Sequence, residues 1–106
     1  MTGQLADRAV VALDLSRVAD KAALMDAVAA ALALPDWFGR NWDALLDSLC
    51  DPSVWPTAAA DRGLLLVVTG WAPYANARPD EWRLAHEILT EASEGPAPVT
   101  VALALG

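Results

Sequence analysis

Residues 63–69 of this 106-residue chain are Gly-Leu-Leu-Leu-Val-Val-Thr, in which five apolar residues follow one another without interruption. The run is far shorter than the ~18 apolar residues of a membrane span and has the length of a strand. A strand without alternation of apolar and polar residues is typical of parallel sheets, in which both faces are covered. The run therefore predicts a strand of a parallel sheet that is buried on both faces.

Two further strands are predicted near the ends of the chain. Arg8–Leu15 is rich in valine and leucine, which favour strands. Val99–Leu105 carries valines and leucines at alternate positions, which is the period of a strand. The chain therefore has three predicted strands.

Three stretches between these strands have the apolar spacing of amphipathic helices. The first follows Asp20, a suitable N-cap, and ends before Pro35, because the residue before a proline avoids the helical region. The second follows Asn41, which is another suitable N-cap. The third begins near Pro79 and ends at Gly95, since proline suits the first helical position and glycine a helix end. Helices therefore separate the three strands.

Two segments are expected to connect these elements. Ser53–Arg62 is expected to be a connector, and Gly70–Ala77 to be irregular or a short helix. Helices between successive strands favour parallel pairing with right-handed crossovers. The sequence thus predicts one α/β domain over residues 1–106, with a three-stranded parallel sheet and helices packed against it.

The charge balance limits the kind of partner. Acidic residues number 14 and basic ones 7, a formal net charge of −7. Such a surface repels nucleic acid, so direct nucleic-acid binding is not expected, but it attracts a basic protein. The first residues lack the segments of a signal peptide, and the single cysteine, Cys50, cannot build a disulfide framework. We expect a cytoplasmic protein that does not enter a membrane.

The sequence lacks the residue patterns of common catalytic and cofactor sites. His86 is the only histidine, and no serine lies in a nucleophile-elbow context. The 6 glycines are scattered, so no phosphate-binding loop is predicted. No histidine pair or carboxylate cluster with suitable spacing predicts a metal site. We therefore expect that the protein is not an enzyme and has no catalytic residue, cofactor or metal.

Three aspartates, Asp43, Asp47 and Asp51, follow one another at intervals of four residues. On a helix this spacing forms a stripe of like charges, which costs about 0.2–0.5 kcal/mol per pair. The helix dipole offsets only the charge nearest the helix start. Two interpretations stay open: a solvated acidic face, or a binding surface whose carboxylates imitate the phosphates of RNA.

Two adjacent aromatic residues, Trp37 and Phe38, lie in the loop before this helix. Both cannot easily point inward from a loop, so one is expected in the core and the other at the surface, where it would suit an interface. Gly39 either lets a partner approach the backbone or supplies a positive φ angle. Asn41 is expected to cap the helix, with a partner contact as the alternative.

Residues 34–49, Leu-Pro-Asp-Trp-Phe-Gly-Arg-Asn-Trp-Asp-Ala-Leu-Leu-Asp-Ser-Leu, resemble the signature segment of the barstar family. That segment has the pattern Leu-Pro-acid-aromatic-aromatic-Gly-x-Asn-x-Asp-Ala-Leu-x-Asp. The rest of the chain resembles the family through its length and the order of its elements. The resemblance implies a three-stranded parallel sheet with helices, and tight binding to barnase-type ribonucleases whose active site is blocked.

The resemblance also implies roles for residues of the loop. Trp37 and Phe38 match the paired aromatic residues of the family's binding loop. The first of the pair lies over the catalytic residues of the nuclease. Gly39 and Asn41 match neighbouring positions that contact the partner or shape the loop.

Acidic and aromatic residues after the loop complete the implied site. Asp43 matches a contact aspartate at the helix start, and Asp47 matches the principal aspartate, which occupies a phosphate subsite. Asp51, the third acid of the row, is also predicted to contact the partner. Trp55 loosely matches an interface tryptophan, and Glu91 is the nearest candidate for an acid contributed by the last helix.

Three positions depart from the family pattern. Arg40 stands where the family has an acid, Leu46 replaces a tryptophan, and Ser48 replaces a cysteine. Arg40 places a positive charge inside the binding segment. The departures bear on which ribonuclease is bound more than on the class of protein.

The sequence therefore predicts a bacterial antitoxin or immunity protein. It would inhibit a secreted or toxin ribonuclease that prefers guanine and has a basic active-site groove, as a monomer in a 1:1 complex. An alternative, favoured by Arg40, is a barstar-like interaction or oligomerisation module without ribonuclease inhibition. A small hydrolase comes third, because no nucleophile–base pair supports it.

Overall fold

The computed structural model describes residues 8–36, 38–104 and 106 of the chain. Helices lie between successive strands, as predicted. The elements in chain order are β1 (Ala9–Asp14), α1 (Lys21–Leu32), α2 (Trp42–Leu49), a 3-10 helix (Pro52–Val54), α3 (Thr57–Arg62), β2 (Leu64–Thr69), α4 (Ala72–Ala77), α5 (Pro79–Glu94) and β3 (Val99–Leu103).

The three strands form one parallel sheet in the order β1-β2-β3. β1 and β3 each pair in parallel with β2, and Ala9, Leu64 and Val99 lie side by side in the register. The predicted three-stranded parallel sheet is confirmed. The apolar run at 63–69 supplies its central strand.

Only one face of the sheet is fully covered, so the prediction that β2 is buried on both faces is wrong. Leu64, Leu66 and Val68 are buried, whereas the alternate residues of β2 are half-buried. On the side of those alternate residues, Val10 of β1 keeps 62% of its surface exposed. Both crossovers step in the same direction across the sheet. Right-handed crossovers that step in one direction place their helices on one face.

The covered face packs against apolar stripes of the helices. Tyr74 of α4 is also buried there, and its hydroxyl donates a hydrogen bond to a carboxylate oxygen of Glu81 at 3.0 Å. Burial of the apolar stripes is the main stabilising contribution to such a fold. The residues that the longer helices bury are Leu24, Met25, Val28 and Leu32 of α1, Leu45, Ser48 and Leu49 of α2, and Ala85, Leu89 and Ala92 of α5.

The predicted helix ends agree with the structure. The carboxylate of Asp20 accepts a hydrogen bond from the backbone N–H of Ala23 at 2.9 Å and so caps α1. Pro79 is the first residue of α5, and Gly95 follows its last. Within the described ranges, no helix has both the length and the apolar composition needed to cross a bilayer.

The prediction that Ser53–Arg62 is a plain connector is wrong, because it contains α3 and part of the 3-10 helix. The sequence of α3, Thr-Ala-Ala-Ala-Asp-Arg, has no apolar stripe that would reveal a helix. Its only buried residue is Ala59, whose small side chain can pack closely against its neighbours. By contrast, the expected short helix within Gly70–Ala77 is confirmed as α4.

The outer strands are shorter than predicted. β1 lacks the first and last residues of the predicted Arg8–Leu15. β3 ends at Leu103, and Leu105, the predicted end, lies outside the described residues. Strand ends are where sequence patterns are least informative, since pairing decides them.

Candidate partner-binding site

The loop between α1 and α2 is anchored in the core by Phe38. α1 ends at Leu32, and its C-cap residue Ala33 turns the chain with a φ angle of 50°. The backbone N–H of Phe38 then donates a hydrogen bond to the carbonyl of Pro35 at 3.0 Å, and its side chain is only 4% exposed. One core aromatic in the pair was predicted, and it is Phe38. Its neighbour Trp37 lies outside the described residues.

The left-handed turn before α2 is made by Arg40, with a φ angle of 52°, and not by Gly39. The alternative that Gly39 supplies a positive φ angle is therefore wrong. A Cβ atom at Gly39 would lie 3.1 Å from Nδ2 of Asn41 and 3.4 Å from Cβ of Ala44. Glycine leaves room here for the start of α2, and its exposed backbone remains a predicted contact.

The start of α2 is tied to both the loop and α1. Oδ1 of Asn41 accepts a hydrogen bond from the backbone N–H of Ala44 at 2.8 Å, and its Nδ2 donates to the carbonyl of Gly39 at 3.4 Å. The predicted N-cap is thus confirmed. The ammonium of Lys21 lies 5.5 Å from the ring centroid of the half-buried Trp42, which adds a cation–π contact to α1.

Asn41→Ala is expected to lower the free energy of unfolding by about 1 kcal/mol, because the N–H of Ala44 loses its acceptor. Urea denaturation measures this change. Asn76→Ala on the exposed surface of α4 is the matched control and should change the free energy by less than about 0.5 kcal/mol. Equal effects of the two substitutions would contradict the capping role.

Asp43 and Asp47 of α2 are exposed, whereas Leu45 and Leu49 of the same helix are buried. Their spacing of four residues places the two carboxylates on one side of the helix. Asp43 lies in the first turn, where the helix dipole stabilises a negative charge. Asp47 lies in the second half of α2 and has no such compensation.

Glu91 of α5 belongs to the same part of the surface. It is exposed, and its charge acts on the thiol of Cys50, the residue that follows α2. Partial burial, then Glu91, then Asp47 raise the pKa of Cys50 above the ordinary value of a thiol. The structure therefore brings together acids of two helices. We call Asp43, Asp47 and Glu91 the acidic surface.

The sequence model of the family described as Barstar (barnase inhibitor) matches residues 8–105. The chain belongs to the barstar family. The match extends the resemblance of residues 34–49 over nearly the whole chain. Members of the family are inhibitors and not enzymes, so membership supports a barnase-inhibitor-like role with a barnase-like ribonuclease as the kind of partner. No curated protein matches the chain.

Trp55 has a core position in this barstar-family chain, although it was predicted to contact a partner. Its side chain is 6% exposed, and its indole Nε1 donates a hydrogen bond to the backbone carbonyl of Ser48 at 2.8 Å. That carbonyl belongs to the last turn of α2, where acceptors lack helical partners. Trp55 thus holds the end of α2 and offers little surface to another protein.

Asp51 lies outside α2, so the predicted row of three helical aspartates contains only two. The helix ends at Leu49, and Asp51 caps the 3-10 helix that follows. Its carboxylate accepts hydrogen bonds from the backbone N–H of Ser53 at 3.0 Å and from its hydroxyl at 2.7 Å. Both hydrogen bonds lower the pKa of Asp51 below the ordinary value of an aspartate, and the bond from the Ser53 hydroxyl has the larger effect. Its contact with a partner stays a prediction.

The reactivity of Cys50 reports on the acidic surface in the free protein. Asp47→Asn and Glu91→Gln should each speed alkylation of Cys50 by iodoacetamide near neutral pH, because loss of a negative charge lowers the thiol pKa and yields more thiolate. Asp61→Asn, an exposed change on α3, is the control and should leave the rate unchanged. If Glu91→Gln has no effect, Glu91 does not lie beside the end of α2.

Metal-ligating residue types and the single histidine occur among the described residues. In the part of the chain that the structure describes, no three of His, Cys, Asp and Glu group as metal ligands. The ring of the single histidine, His86, packs edge-on to Trp82 with 5.9 Å between ring centroids.

Proposed function

We propose that this chain inhibits a barnase-type ribonuclease by placing its acidic surface in the active-site groove. The observation that carries the proposal is the exposure of Asp43 and Asp47 on one side of α2, with the exposed Glu91 of α5 near the thiol of Cys50, on which Asp47 also acts. Among the described residues, no salt bridge engages these three carboxylates. Their negative charge is therefore available to an external cation.

The proposed partner is a protein whose groove binds RNA phosphates through basic side chains. A carboxylate can accept the same charge-assisted hydrogen bonds from arginine as a phosphate does. Asp47 would occupy the principal phosphate subsite and Asp43 a neighbouring one. The net charge of −7 would also accelerate encounter with such a groove. The inhibitor keeps RNA out of the active site of the ribonuclease and catalyses no reaction itself.

The loop before α2 would complete the interface. Following the resemblance of the signature segment, Trp37 would cover the catalytic residues of the nuclease while Gly39 lets the two backbones approach. Phe38 contributes from the core by fixing the loop, since its side chain is buried. The ribonuclease would prefer guanine and be secreted or a toxin. A monomeric inhibitor in the bacterial cytoplasm would protect the producing cell in a 1:1 complex.

The test is inhibition of RNA cleavage by purified barnase and related guanine-preferring ribonucleases. Titration of each enzyme with the wild-type chain should end at one inhibitor per enzyme. Association should slow as salt rises, because screening weakens charge steering. Failure to inhibit any of these enzymes, even at low salt, would contradict the proposal.

A second candidate function, self-association, is favoured by the uncovered face of the sheet. Val10 is 62% exposed, and Ala12 and Ala102 on the same face are exposed as well. Exposed apolar patches mark interaction sites when they are large enough. Sedimentation at increasing concentration separates the two functions, since an inhibitor that acts as a monomer should show no dimer.

A further inference from the structure

The side chain of Arg40 makes contacts within its own chain. Arg40 is the one basic residue of the signature segment, residues 34–49. Its Nε donates a hydrogen bond to Oδ1 of Asp26 on α1 at 3.0 Å, which is also a salt bridge. Its Nη1 lies 3.5 Å from the carbonyl oxygen of Phe38. The guanidinium carbon lies 5.8 Å from the centroid of the Phe38 ring, within the range of a cation–π contact.

These contacts connect three parts of the molecule. Asp26 belongs to the middle of α1, Phe38 anchors the loop in the core, and Arg40 directly precedes Asn41, the N-cap of α2. Arg40 also adopts a φ angle of 52°, which a residue with a side chain rarely adopts without compensating contacts. The side-chain contacts of Arg40 favour this conformation against its backbone cost.

We propose that the Asp26–Arg40 pair is a clamp that positions the loop and the start of α2, and with them the acidic surface. Arg40 is a positioning residue, and its charge is neutralised within the chain. The consequence for partner binding rests on the function proposed above, whereas the ordering of the loop does not.

The clamp explains how a base can occupy this segment without opposing a basic partner. The side chains of Arg40 and Asp26 are 48% and 68% exposed, so water and salt screen them. At close range, however, the carboxylate of Asp26 offsets the charge of Arg40. An arginine that instead reached toward the nuclease would need to break the bond to Asp26 and the contacts to Phe38.

Amide hydrogen exchange of the free protein tests the clamp. Arg40→Asp places two carboxylates opposite each other and should speed exchange at the N–H groups of Phe38 and Ala44 by roughly twofold to fivefold, the range expected for an exposed ion pair. The N–H groups of β2 serve as the internal reference, because they open only with the whole molecule. Their unchanged exchange would show that the variant folds.

A charge swap separates a clamp from a general charge effect. The double variant Asp26→Arg/Arg40→Asp restores an opposite pair and should bring exchange at Phe38 and Ala44 back toward the wild-type rate. The control, Asp61→Arg/Arg40→Asp, has the same net charge, but its arginine lies on α3 and should rescue nothing. Unchanged exchange in Arg40→Asp, or a swap as fast as the single variant, would overturn the clamp.

Inhibition of barnase by the same variants then tests the consequence. The swap should inhibit more strongly than Arg40→Asp if the clamp positions the acidic surface. If Arg40 instead contacts the ribonuclease directly, the swap should inhibit as weakly as Arg40→Asp while its amide exchange is restored. Because exchange is measured without a partner, the clamp stands or falls separately from the proposed inhibition.

Discussion

Asp47→Ala is expected to weaken inhibition of barnase by roughly 100-fold or more. Asp47 is exposed in the free chain and would be buried against basic groups in the complex. Removing one partner of a buried ion pair costs about 3–5 kcal/mol, because the remaining charges stay buried without compensation. The inhibition constants of wild type and variant, measured by RNA cleavage at the same salt concentration, give the effect.

The matched control for Asp47→Ala is Asp61→Ala, which removes the same carboxylate from an exposed position on α3. It lowers the long-range attraction equally and should change inhibition by only about twofold, chiefly through association. Asp26→Ala would be a poor control, since it also breaks the bond to Arg40. Similar losses in Asp47→Ala and Asp61→Ala would mean that net charge, and not a phosphate-mimicking site, accounts for binding.

Trp55→Ala is expected to lower the free energy of unfolding by about 3–5 kcal/mol, as truncation of a buried aromatic residue does. Trp55 is 6% exposed, and its truncation would also remove the 2.8 Å hydrogen bond to the Ser48 carbonyl, which then keeps only the 3.4 Å hydrogen bond from the backbone N–H of Asp51. Urea or guanidinium denaturation measures the change. Leu84→Ala, at a side chain that is 41% exposed, is the control and should cost less than about 1 kcal/mol.

A milder variant keeps the Trp55 prediction testable if alanine prevents folding. Trp55→Phe retains most of the packing but not the indole N–H. It should cost about 0.5–1.5 kcal/mol through the lost hydrogen bond, because the Ser48 carbonyl keeps only the 3.4 Å hydrogen bond from the backbone N–H of Asp51. The folded Trp55→Phe protein should inhibit barnase like the wild type. A variant with wild-type stability but weak inhibition would indicate that Trp55 contacts the ribonuclease.

Structural features with a local cause could be predicted from the sequence. The caps formed by Asp20 and Asn41 lie within three residues of the N–H groups that they accept from, so residue type and spacing were sufficient. The apolar run at 63–69 predicted a strand for a similar reason. The contiguous signature of residues 34–49 predicted the family that residues 8–105 confirm.

Part of the candidate site needed the fold. The sequence predicts Glu91 as an interface acid of the last helix only through a resemblance, since the packing of α5 determines that Asp47 and Glu91 both act on Cys50. The sequence predicts Trp55 at the interface, because nothing in it shows that the indole reaches the Ser48 carbonyl. The pairing of Arg40 with Asp26 spans 14 residues and depends on how the loop returns along α1.

The family, the three strands, the longer helices and the acids of α2 follow from residue patterns alone, because periodicity, caps and a contiguous motif are local properties. The packing of the whole fold, by contrast, decided that helices cover one face of the sheet and leave Val10 exposed, since no local pattern specifies strand order or crossover direction. It also decided which polar residues are available to a partner. Arg40, although exposed, is engaged by Asp26 of α1, a contact that only folding creates, whereas among the described residues no salt bridge engages Asp43 or Asp47.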